Sequence, residues 1–129
     1  MKVLGVDNIF LQVGDLVEAV RFYEDVVGLT VAKRFDDMGT VLFQIADETP
    51  GLGVAGVDDP RTAGQKLWLE VPDARSAAEE LTRGGVELLA PPFFVYTGWA
   101  VEIADPWGNV IGFTDYVAKP ELGRCVLAG

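Results

Sequence analysis

The sequence predicts an α+β fold of two tandem β-α-β-β-β repeats, whose curved sheets enclose a cavity. Three observations carry this reading. Strand-like runs with partial apolar alternation are separated by turn-rich breaks. One helix-period segment follows the first run of each half. The second half restates the first at an offset of 58 residues, as Asn8 against Lys66 (66 − 8) and Asp15 against Asp73 (73 − 15) show.

The elements follow in order. Val6–Val13 reads as a strand, and Asp15 as the N-cap of a helix on which Leu16, Ala19, Val20, Tyr23 and Val27 share a face before Gly28 ends it. Leu29–Arg34, Thr40–Ile45 and Leu52–Val57 are strands, broken by Asp36–Gly39 and by Asp47–Gly51. The second half opens with Lys66–Val71 and places a helix at Ala74–Arg83 behind Asp73. Val101–Asp105 matches Phe43–Asp47 at the same offset, and Val110–Tyr116 is the last strand. Two modules result, at 1–60 and 61–118, with a C-terminal tail at 119–129 that carries Cys125 outside the repeat.

Composition excludes several function classes. Ten basic against twenty acidic side chains give a net charge of −10, which leaves no basic surface for nucleic acid. No apolar stretch approaches the roughly 18 residues of a membrane span. The opening Met1–Asp7 lacks the apolar run of a signal peptide, and a lone cysteine suits a reducing compartment. A soluble cytoplasmic protein is expected. The chain has no histidine, so imidazole bases, Ser-His or Cys-His nucleophiles and imidazole metal ligands are all unavailable.

The run Asn8–Asp15 (NIFLQVGD), then Ala19–Tyr23 (AVRFY) and Val27–Leu29 (VGL), resembles the opening of the vicinal oxygen chelate superfamily. That superfamily contains glyoxalase I, the extradiol dioxygenases and the bleomycin-resistance proteins. Asp105-Pro106-Trp107-Gly108-Asn109 resembles its second signature, a D-P-x-G-N turn, and the likeness spans about residues 4 to 116. The resemblance implies a divalent metal held by side chains on the first and last strands of each repeat. Carried onto this chain, those positions are Asn8, Val54, Lys66 and Gly112. Val and Gly have no donor, Lys66 sets an ammonium where a cation belongs, and Gly53 and Ala55, the neighbours of Val54, offer none either. No metal and no cofactor are expected.

Alternation places Ile9, Leu11 and Val13 under the helix and leaves Asn8, Phe10 and Gln12 toward the cavity, with Lys66, Trp68 and Glu70 matching them. Leu42, Gln44, Ala100 and Glu102 face the same way. Phe93, Phe94, Tyr96 and Trp99 crowd a segment with Pro91, Pro92 and Gly98 that reads as a loop or edge strand over the cavity mouth. The candidate ligand-binding set is therefore Asn8, Phe10, Gln12, Gln44, Lys66, Trp68, Phe93, Tyr96, Trp99 and Glu102. Its aromatic members form either a stacking pocket or ordinary core. Lys66 and Glu102 form either a buried ion pair or an acid–base pair.

The favoured function is metal-independent sequestration of a small, partly aromatic organic ligand by a homodimer, similar to the antibiotic-binding resistance proteins. The alternative is a metal-free lyase, isomerase or hydrolase using Glu102 and Lys66. A catalytically empty relative serving as a regulatory subunit is a third reading.

Overall fold

The computed structural model describes residues 1–2, 4, 8–60 and 65–124. They divide into two units. The first comprises residues 1–65 with Asp105–Asn109, and the second comprises 66–104 with 110–129.

In the first unit, β1 (Asn8–Val13) leads into α1 (Leu16–Arg21), with Asp15 between them as the predicted N-cap. Its Oδ1 accepts from the backbone N–H groups of Val17 (2.8 Å) and Glu18 (3.2 Å), satisfying two of the helix's free donors. The helix does not run uniformly to Val27 as the periodicity predicts. After Arg21 it widens into a π-turn over Phe22–Val26, where the Val27 N–H bonds the Phe22 carbonyl. The wide turn seats Tyr23 in the core, fully buried, with its ring 5.6 Å from that of Phe43. Gly28, at φ +85°, then reverses the chain, a backbone conformation costly for any residue with a Cβ.

Three strands follow: β2 (Thr30–Phe35), β3 (Thr40–Ile45) and β4 (Glu48–Gly56). The predicted break at Asp47–Gly51 is shorter than expected. Ile45 already pairs with Glu48, so Ala46 and Asp47 make the turn and the strand begins three residues before Gly51. The sheet order is β1-β4-β3-β2, with β1 parallel to β4 and the other pairs antiparallel. Leu11, Val13, Val41, Phe43, Leu52 and Val54 are buried on the face that α1 covers. Ile9, assigned to that face by alternation, stays 36% exposed.

The second unit repeats the pattern with β5 (Lys66–Glu70), α2 (Ala74–Arg83), β6 (Phe93–Val95), β7 (Gly98–Ala104) and β8 (Val110–Thr114), in the order β5-β8-β7-β6. The predicted helix bounds hold, and Asp73 caps it by accepting from the Ser76 N–H at 3.0 Å. Ala74, Ala78 and Leu81 make its buried stripe, with Leu67, Val101, Ile103, Ile111 and Phe113 buried in the sheet. The aromatic segment Phe93–Val95 is an edge strand, joined to β7 by a two-residue turn at Tyr96 and Thr97.

The repeat is real, but its offset drifts. Phe10 pairs with Gly53 and Trp68 with Gly112, so the first strands differ by 58 and the last by 59 (112 − 53). Leu42 pairs with Gly53 and Glu102 with Gly112, which sets the third strands 60 apart (102 − 42). The match of Val101–Asp105 to Phe43–Asp47 is therefore two residues out of register. A slip of two preserves the pleat, so the inferred faces survive it. A slip of one does not. Val54 lies on the buried face, and the open-face partner of Phe10 is Gly53.

Candidate functional site

The open face of the second sheet carries the densest set of the predicted residues. Lys66, Trp68 and Glu70 alternate along β5, and Glu102 projects from β7 on the same side. The Trp68 indole Nε1–H donates to Glu102 Oε2 at 2.8 Å, and the Lys66 ammonium reaches the same oxygen at 3.1 Å and Oε1 at 3.5 Å. The ion pair is not buried as a unit. Glu102 is 14% exposed at its side chain while Lys66 is 57% exposed. The reason is position: Glu102 sits in an interior strand, whereas Lys66 opens an edge strand.

Trp68 lies against the backbone of β8. A Cβ built on Gly112 would collide with the pyrrole atoms of the indole, so the ring occupies the space a side chain would take. The residue as a whole stays 40% exposed, and the Phe93 ring from β6 stands 6.2 Å away at 54°. At the far end of β5, Glu70 is held by Arg124, which donates from its guanidinium at 2.6 Å and from its backbone N–H at 2.9 Å.

The first unit has the same arrangement in simpler form. Phe10, 53% exposed, lies across Gly53, whose Cβ position its ring fills, and Leu42 borders the same spot. Asn8 stands beside Gly51 on that face, and Gln12 and Gln44 are exposed along β1 and β3.

Two predicted residues lie elsewhere. Trp99 is on the opposite face of its sheet: the Arg75 guanidinium from α2 stacks over it at 4.6 Å, and Phe94 meets it edge-on. Its pairing with Phe94, one residue out of phase with the Phe93–Ala100 pair, puts both on the helix side. Tyr96 occupies the hairpin turn, exposed, with the Lys119 ammonium 5.2 Å from its ring. Cys125 lies outside the described residues. A shallow groove of about 460 Å³ runs between α2 and the 88–92 segment and contains none of the predicted residues.

The metal implied by the fold does not fit this chain. Gly53 and Gly112 bring no donor, and aromatic rings fill the volume where a ligating side chain would stand. Among the described residues no group of three His, Cys, Asp or Glu side chains converges. What sequence reasoning missed is the positive role of these glycines, which it read only as absent ligands. The signal was present: a glycine inside a strand marks a close approach, and each faces an aromatic in the paired first strand.

Comparison with known proteins agrees with this architecture. The family model of the Glyoxalase/Bleomycin resistance protein/Dioxygenase superfamily matches residues 5–113, and the chain belongs to that superfamily. Among solved structures it is similar to a member of the same superfamily from Sphaerobacter thermophilus, at 22% identity and TM-score 0.75, covering 88% of this chain and 98% of that one. It is also similar to a lactoylglutathione lyase from Agrobacterium tumefaciens (18% identity, TM-score 0.72, 93% and 99% covered). An integron cassette protein from V. cholerae aligns at 19% identity and TM-score 0.67, covering 90% and 98%. Identities this low bear on fold alone. Comparison with the curated proteins gave no match.

Proposed function

We propose that this chain binds a small, planar, partly aromatic organic molecule without a metal or cofactor, as a ligand-sequestering protein of the antibiotic-binding kind, and acts as a cytoplasmic homodimer. The observation that carries the reading is the indole of Trp68. It is backed by glycine, fixed by a hydrogen bond from its N–H, and leaves a large part of its surface to solvent. A ring restrained in this way loses little freedom when a ligand stacks on it, which favours binding. Phe93 on the same face supplies further apolar area, and the first unit presents, by itself, a comparable surface of Phe10 with the amides Asn8, Gln12 and Gln44.

The test is native mass spectrometry after incubation with a panel of aromatic natural products that includes antibiotics. Retention of a molecule with unchanged mass supports sequestration. Trp68→Ala should then lower affinity about tenfold, while Trp99→Phe, on the other face, leaves it in place. Retention of nothing from the panel, or full retention by Trp68→Ala, sinks the reading.

A metal-free lyase, isomerase or hydrolase is the second reading, favoured by the 3.1 Å contact between Lys66 and Glu102. It requires Glu102 to exchange a proton with substrate, yet Oε2 already accepts from both Trp68 and Lys66. A released molecule of altered mass, with turnover abolished in Glu102→Gln, would make this reading the correct one.

A further inference from the structure

We propose that Lys66 is a displaceable counter-ion of Glu102, and that the cationic group of a planar aromatic ligand takes its place. The inference rests on the binding reading above and adds to it the charge of the ligand.

The two partners are unequal. Glu102 belongs to an interior strand, is largely buried, and its backbone carbonyl accepts from the Leu89 N–H at 2.9 Å, so the carboxylate has a fixed seat. Lys66 has a long flexible stem on an edge strand and is mostly exposed, so its ammonium swings away at little cost. The other donor to Glu102, the indole N–H, carries no net charge and leaves the carboxylate unneutralised once Lys66 departs.

The aromatic surface beside this carboxylate is open to a cation. Among the described residues, cations lie over Phe35, Trp99 and Tyr96, and none lies over Trp68. Donation of its N–H to a carboxylate makes the indole more electron-rich and strengthens its attraction for positive charge. Glu70, the acid on β5, does not compete in the same way, because Arg124 grips it through both side chain and backbone. The net charge of −10 raises the local concentration of organic cations around the whole chain.

The experiment compares N-methylquinolinium with its neutral isostere 1-methylnaphthalene, titrated into the intact chain at low salt. The unaltered protein should prefer the cation. The ratio of the two affinities should rise about two- to five-fold in Lys66→Met and in Lys66→Gln, and fall toward unity in Glu102→Gln. It should also fall as salt is added. A ratio of one in the unaltered protein, or a ratio that neither position moves, overturns the proposal while stacking on Trp68 stands. Failure of both probes to bind, or equal binding by Trp68→Ala, overturns the stacking reading and this one with it.

Discussion

Asp105 receives four hydrogen bonds inside the first unit. Its Oδ1 accepts from the N–H groups of Trp107 (2.9 Å) and Asn109 (2.8 Å), and its Oδ2 from the Tyr23 hydroxyl (2.9 Å) and Asn109 Nδ2 (2.7 Å). Asn109 Nδ2 also donates to the Gln12 carbonyl at 2.8 Å. Those two donations fix the amide's orientation and leave its buried Oδ1 without a partner among the described residues. Asp105→Ala strands several buried donors at once and should cost about 3 kcal/mol or more in urea unfolding. Burial raises the pKa of the Tyr23 hydroxyl far above its ordinary value, and the Asp105 charge and hydrogen bond add to the shift. An unfolded tyrosine ionises near pH 10, so above about that pH the unfolded state binds fewer protons and stability falls as pH rises, approaching about 1.4 kcal/mol per unit. Below that range the contribution is fully present. Tyr23→Phe should remove this part of the alkaline slope; an unchanged slope would refute the assignment. The D-P-x-G-N turn was legible from the chain as turn chemistry. Its bond to a tyrosine 82 residues earlier was not, because only tertiary packing brings the two together.

At the scale of elements, the caps were readable and the ties between elements were not. Asp15 and Asp73 each stand before a helix-period run, and each accepts from the first turn as a short acidic side chain should. Asp115, by contrast, lies in the stretch assigned to the last strand and carried no local signal. It is fully buried just past β8, where its Oδ2 accepts from the Ala74 N–H at 2.7 Å, the first residue of α2. Its Oδ1 accepts from Trp99 N–H at 2.8 Å, at the start of β7. One carboxylate thus anchors the helix start and the β6–β7 hairpin to the end of the last strand. Asp115→Ala should lower stability by about 2–4 kcal/mol and expose the α2 amides to early hydrogen exchange. Loss of less than about 1 kcal/mol would mean that water replaces it without strain. Gly98 lies against the same carboxylate, and any Cβ there would collide with it. The drift of the repeat offset had a comparable cause: register between strands is set by pairing, and single-residue differences in turns leave no mark on a periodicity read along one chain.

At the scale of the whole molecule, duplication accounts for the fold, and the departures from exact duplication account for the candidate site. Both units place an aromatic from the first strand over a glycine of the last. Only the second adds an acid and an ammonium beside it, Leu42 standing in the first unit where Glu102 stands in the second. Alternation therefore reached Trp68, Lys66 and Glu102, whereas Phe93 and Trp99 were read together from a crowded aromatic segment, and pairing puts only Phe93 on the open face. If the chain acts as a homodimer, native mass spectrometry should return twice the 13.9 kDa chain mass at micromolar concentration, and a single-chain mass there would remove that part of the reading. The aromatic-over-glycine arrangement also constrains how this chain could change by mutation. A carboxylate or imidazole introduced at position 53 or 112 alone would strike a ring, and removing Phe10 or Trp68 alone would leave bare backbone. A chelating side chain at either position therefore requires the ring opposite it to move or be replaced as well, a paired change that no single substitution makes.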